Sequence, residues 1–256
     1  MRKQIFAPIL VVSLGNSSGV AQQSAPTVSS YLQSSLNAMV GQATILDATL
    51  TGTAQVTASS DQSVPAVLEE TSAGSASIAI SLPSGTSTDV RIGGAVAPSG
   101  TWSNGDGTTH AISSHNLMTD PGWFFPEMVV SRLISNTSLS VAFVGQEGNL
   151  LHFQAYQPQP DSTASTGALL QHLTQMDIYL DSTTLLPAQL NFNIHPDGNA
   201  IIDIPVSVQY SNYQTVNGVV LPMRVQKYLN NNIALDIQIQ TAVFNSGLTI
   251  SAPSAQ

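Results

Sequence analysis

From Met176 onward the chain alternates apolar and polar residues with a period of two, almost without a break. The apolar positions are Met176, Ile178 and Leu180, then Leu190, Phe192 and Ile194, then Ile202, Ile204, Val206, Val208 and Tyr210. Leu221, Met223 and Val225 follow, and Ile233, Leu235, Ile237, Ile239 and Val243 complete the series. Side chains of a strand point alternately to opposite faces, so this pattern predicts strands with one buried and one solvated face. Turn signals separate them, at Pro196-Asp197-Gly198-Asn199, at Asn217-Gly218 and at Asn230 to Asn232. The expectation is a meander of consecutive antiparallel strands.

The same period appears earlier. Leu46, Ala48, Leu50, Ala54 and Val56 oppose Asp47, Thr49, Thr51, Thr53 and Gln55, a long strand with a bend at Gly52. Ile78, Ile80 and Leu82 pair with Val90 and Ile92 across a loop at Pro83 to Thr86. Leu139, Val141 and Phe143 form a hairpin with Leu151, Phe153 and Ala155. Two segments instead carry helical spacing. Val28, Leu32, Leu36 and Met39 precede Gly41 as a stop, and Phe125, Met128, Val129 and Leu133 follow the first-turn Pro126 and end at Asn136. Segment 93–122 reads as loops with one short strand, and Pro158 to Gly167 as a surface loop.

Two helices and about ten one-sided strands define the fold class: mainly β (α+β), a strongly curved antiparallel sheet forming an open half-barrel, covered by one or two amphipathic helices. The sequence leaves open whether its concave face holds an apolar cavity or a packed core. Arg2 and Lys3, the apolar run Ile5 to Leu14 and the small residues Gly19 and Ala21 read as an export signal over residues 1–21. A single domain over 22–250 and a frayed tail over 251–256 complete the expected organisation, with a periplasmic or secreted address. Only 8% of residues are charged, against roughly 25% in an ordinary soluble domain, and the net charge is −9. Clustered Lys and Arg, which a nucleic-acid partner requires, are missing from the sequence.

The opening helix Tyr31-Leu32-Gln33-Ser34-Ser35-Leu36-Asn37-Ala38-Met39 begins a longer progression: Met176-Asp177-Ile178-Tyr179-Leu180-Asp181, Leu186-Pro187, Tyr210 to Tyr213, and Val216-Asn217-Gly218-Val219-Val220-Leu221-Pro222. This order of elements resembles the half-barrel superfamily of bacterial lipoprotein carriers, LolA, LolB and LppX-like proteins, most specifically over residues 176–245. The resemblance implies a non-enzymatic envelope protein that binds or carries a lipid, a lipoprotein or another apolar ligand. An envelope protein-interaction or glycan-binding module without an internal ligand is the alternative.

No catalytic constellation is apparent in the sequence. Gly15-Asn16-Ser17-Ser18-Gly19 has the Gly-x-Ser-x-Gly spacing of a nucleophile elbow but lies in the leader, away from the strand-turn-helix setting that spacing needs. His110 and His115 read as loop residues, His152 and His195 as solvent-face residues, and Glu69-Glu70 as a solvated turn. Asn104-Gly105-Asp106-Gly107, with one carboxylate, reads as a tight turn. Neither a metal nor a cofactor is expected. Trp123-Phe124-Phe125 with Met128 is the most informative local feature, because three consecutive large aromatics cannot share one side. These four residues are the candidate ligand contacts, a lid over an apolar ligand; ordinary core packing is the competing expectation.

Overall fold

The computed structural model describes residues 26–57, 62–93, 98–119, 122–159 and 164–251. The proposed leader over 1–21 and all but Ser251 of the proposed tail lie outside the described residues.

The first helix, α1 (Val28–Val40), starts at Thr27, whose side chain accepts from the Ser30 amide, and stops at Gly41 as its spacing predicts. Six strands follow: β1 (Asp47–Val56), β2 (Val64–Thr71), β3 (Ala76–Leu82), β4 (Gly85–Ile92), β5 (Ser99–Asn104) and β6 (Thr109–Ala111). A 3₁₀ turn at Asn116–Met118 and helix α2 (Pro126–Ser135) lead to β7 (Ser140–Glu147) and β8 (Leu150–Tyr156). Helix α3 (Ala164–Thr174) precedes β9 (Met176–Asp181), β10 (Pro187–Ile194), β11 (Ile204–Val216), β12 (Val219–Leu229) and β13 (Asn232–Phe244).

The thirteen strands among the described residues form one antiparallel sheet in the order β6-β5-β4-β3-β2-β1-β13-β12-β11-β10-β9-β8-β7. The chain begins in the middle of the sheet and works outward to β6. It then crosses to the opposite edge at β7 and works back until β13 pairs with β1. Each pair except β1–β13 joins consecutive strands, and the sheet keeps two free edges instead of closing into a barrel. Inward residues of β1–β3 and β8–β13, such as Leu50, Leu68, Ile78, Phe153, Ile178, Leu190, Val208, Leu221 and Ile237, join one apolar cluster. Leu32, Met39 and Val40 of α1 and Met128, Val129, Val130 and Leu133 of α2 complete it. The sheet therefore curls around the two helices.

Local sequence explains the joints. Asn217 and Gly218, both at positive φ (51° and 85°), form the two-residue turn between β11 and β12, the geometry that Asn-Gly favours. β1 changes register against β13 between Thr51 and Gly52, so the expected bend is present. The slip also re-aims β13: Ala242 is buried and Val243 is exposed, contrary to the alternation that placed Val243 inside.

Several other expectations need correction. The ten strands are thirteen. Glu69 and Glu70 belong to β2, where Val64, Ala66, Leu68 and Glu70 all face inward, so they are not a solvated turn. Segment 93–122 holds two strands, and the loop expected over 158–167 gives way to α3 from Ala164. Asp47 is buried because Ser246 and Gly247 donate their amides to its carboxylate at 2.8 and 3.0 Å, pinning the chain after β13. Leu46 and Ile202, placed on buried faces by periodicity, are exposed beyond the ends of their strands.

Candidate functional site

Because β6 and β7 are the two free edges, the chain between them must cross the open side of the sheet. That crossing carries the aromatic segment and α2. Phe125 donates its amide to the Gly122 carbonyl at 2.9 Å, a tight turn that sends Trp123, Phe124 and Phe125 into the interior before Pro126 opens the helix. The four candidate contacts are all enclosed: Trp123 and Met128 are 3% exposed, Phe124 and Phe125 0%. Trp123 meets Phe124 edge-on at 5.7 Å, and Phe125 stacks on Phe244 of β13 at 6.0 Å. Three consecutive aromatics are accommodated because Trp123 and Phe124 precede the helix and are not bound by its periodicity. In this closed form they pack as core residues.

Polar groups fasten the crossing. Tyr210 Oη of β11 donates to the Trp123 carbonyl at 2.7 Å inside the protein, and Lys227 Nζ of β12 lies 4.4 Å from the Trp123 ring centre. Burial pushes the Lys227 ammonium down to about 8; Arg91 adds to this and Asp89 opposes it. On β2, the fully buried Glu70 carboxylate pairs with Arg132 in the last turn of α2 at 2.6 Å. Gly122 lies directly against that carboxylate: a Cβ there would fall 1.9 Å from Glu70 Oε1. Only glycine permits this approach.

Glu127 is the exception among these groups. It sits in the first turn of α2, 1% exposed, and neither carboxyl oxygen has a hydrogen-bond partner on another residue. Burial raises its pKa well above the ordinary carboxylate value; its backbone hydrogen bond opposes this, and the charge of Glu70 adds to it. The phenol of Tyr213 is raised too, by burial first and then by the charges of Glu127 and Tyr210. Glu127 and Met128 line a cavity of about 140 Å³ between α1 and α2, with Leu36, Val40, Ile45 and Ser131. The two helices therefore enclose a gap with a buried carboxyl, without a partner on another residue, on its wall.

Neither Glu70, Glu127 nor Arg132 was marked as functional by sequence. A signal existed for Glu70, which continues the inward series Val64, Ala66, Leu68. Glu127 offered none, because an acidic residue after a first-turn proline is ordinary helix chemistry.

A second hollow, of about 260 Å³, lies over β9, β10 and β11. Its floor includes the cross-strand row Asp177–Asn191–Ser207, with Gln189 and Asn193 beside it. His152, expected to be solvated, is instead buried next to this region. It lies 3.1 Å from Glu147, 2.8 Å from Asp177 and stacked on Tyr179. His195 is buried as well, held by Asn116, which accepts from its amide at 2.8 Å and donates to its carbonyl at 2.7 Å. His115 is partly buried, its Nε2 donating to the Pro196 carbonyl at 3.1 Å.

The fold and its closing segment define an open antiparallel half-barrel with helices inserted in its concavity. No protein-family model and no curated protein matches the chain. Similar solved structures include a LolA superfamily protein from Nitrosomonas europaea (9% identity, 85% of this chain and 93% of that one, TM-score 0.49). An outer membrane lipoprotein-sorting protein domain from Vibrio parahaemolyticus is another (11%, 79% and 87%, TM-score 0.47). A DUF1329 family protein from Desulfovibrio piger is a third (9%, 86% and 93%, TM-score 0.50). At 9% identity the last of these is a likeness of fold alone.

Proposed function

We propose that the protein carries a lipid, a lipoprotein's acyl group or another apolar ligand in the concave face of the half-barrel, without catalysis, in the periplasm or after secretion. One observation carries this reading: the segment that fills the concavity together with α1 is a single crossing between the two sheet edges, and it carries a buried Glu127 carboxyl, without a partner on any other residue, beside a cavity. Burying a carboxyl whose one hydrogen bond comes from its own backbone costs stability, so the closed form is poised to exchange its own aromatic filling for that of a ligand. Sizes are compatible. Uncovering Trp123, Phe124 and Phe125 at roughly 150–250 Å² each is offset by about 15–25 buried methylenes at roughly 30 Å² apiece. One long or two shorter acyl chains supply that.

The test is native mass spectrometry of gently purified protein together with titration of a fluorescent fatty acid. A retained lipid or one saturable probe site per chain is expected. Neither lipid nor saturable probe binding would overturn the proposal.

The amide-rich hollow over β9 to β11 favours a second reading, docking of a neutral glycan on the outer sheet. Saturable binding of oligosaccharides without any apolar ligand would support it over the carrier.

A further inference from the structure

His172, His195 and Asp203, distant in sequence, meet where α3 ends and the β10–β11 connection turns, and their ligand-type atoms all lie within 4.8 Å of one another. Asp203 Oδ1 is 2.8 Å from His172 Nε2 and 3.5 Å from His195 Nδ1. We propose that these three residues form a divalent transition-metal site of the zinc type, with an open position toward the polar hollow that His172 also lines.

The spacing fits. Bonds of about 2.0–2.2 Å in a tetrahedral site hold ligand atoms roughly 3.3–3.5 Å apart, so small side-chain shifts suffice. Two imidazoles and one carboxylate, with no thiolate in the chain, select zinc, nickel or copper(II) over magnesium or calcium.

The ring of His195 is prepared for the exchange. Its Nδ1 faces two acceptors, the Ile202 carbonyl at 3.1 Å and Asp203, while its Nε2 is buried without any partner. When Nδ1 takes a cation, the ring proton can reside on Nε2 and no hydrogen bond is broken there. The contact with Ile202 is given up, as is the His172–Asp203 hydrogen bond, whose two atoms both turn to the metal. The backbone of His195 is already fixed by both hydrogen bonds to Asn116, which restrains the ligand before metal arrives. His172 stands in the last turn of α3, where the negative end of the helix dipole favours a cation. His172 and Asp203 are both half-exposed, which leaves an entry path and a free coordination position.

Untagged full-length protein should bind one equivalent of Zn²⁺ saturably in calorimetry. His172→Ala and Asp203→Asn, both at half-exposed positions, should each weaken binding by 10-fold or more. In the unaltered protein, Zn²⁺ should shift the imidazole NMR signals of His172 and His195 together and leave those of His110 and His152 in place. Absence of one-equivalent binding, unchanged affinity in both variants, or shifts confined to the other histidines would overturn the proposal.

Discussion

Replacing Glu127 with glutamine removes the one ionisable group whose burial most opposes closure, and the consequence can be worked out with its sign. Burial raises the folded-state pKa of Glu127 well above the ordinary value of 4.5. Its contribution to stability is thus fully present below about pH 4.5 and is lost as the pH climbs toward the folded pKa, because the unfolded chain releases the proton first. Each pH unit in that window costs the wild type about 1.4 kcal/mol. Glutamine cannot ionise. Glu127→Gln should therefore match the wild type near pH 4.5 and exceed it by a margin that widens as the pH rises, at no more than about 1.4 kcal/mol per unit. Groups remote from Glu127 are common to both proteins and cancel in the difference; Glu70, whose charge acts on Glu127, is the one neighbour whose own titration the replacement also touches. Urea unfolding followed by tryptophan fluorescence at half-unit steps from pH 4.5 to 8 measures it. Parallel stability curves across that range would refute the claim that Glu127 is buried in a neutral form.

Gly122→Ala drives a Cβ into the Glu70 carboxylate, and about 1–3 kcal/mol of stability should be lost in the same unfolding assay. Arg132→Met leaves Glu70 with its buried charge uncompensated by α2, a loss of about 3 kcal/mol at neutral pH that should shrink in acid. Phe125→Ser removes a fully buried ring, costing about 3–5 kcal/mol in ligand-free protein. A bound apolar ligand should then raise its melting temperature more than it raises that of the wild type, as differential scanning fluorimetry with oleate can show.

Legibility followed the kind of interaction that forms each element. The strands from Met176 to Phe244 were readable because their burial is one-sided and periodic, and Asn217-Gly218 marked a turn that few other pairs can make. α1 and α2 declared themselves by apolar spacing and by Gly41, Pro126 and Asn136. Three signals misled. Glu70 interrupts an otherwise apolar inward series, which hid β2, and the ion pair with Arg132, far along the chain, helps to offset its burial. α3 is rich in Ser and Thr at its start and leaves Leu169 exposed, so it lacks a clean apolar stripe. His195 lies next to a turn sequence but is enclosed by Asn116 and His115, whose proximity is a product of the fold. The aromatic segment was legible as a feature, and its position across the open side follows from strand order, which no local pattern encodes.

The central claim is that apolar ligands enter the concave face where Trp123 now sits. The chain has two tryptophans, so Trp102→Phe leaves Trp123 as the sole reporter. Titration of that variant with a dibrominated fatty acid tests the claim directly, since bromine quenches indole fluorescence only at close range. The account predicts saturable quenching at one ligand per chain, reversed by the unbrominated acid. Fluorescence that stays constant up to the solubility limit of the lipid, in protein that still unfolds cooperatively, would contradict it.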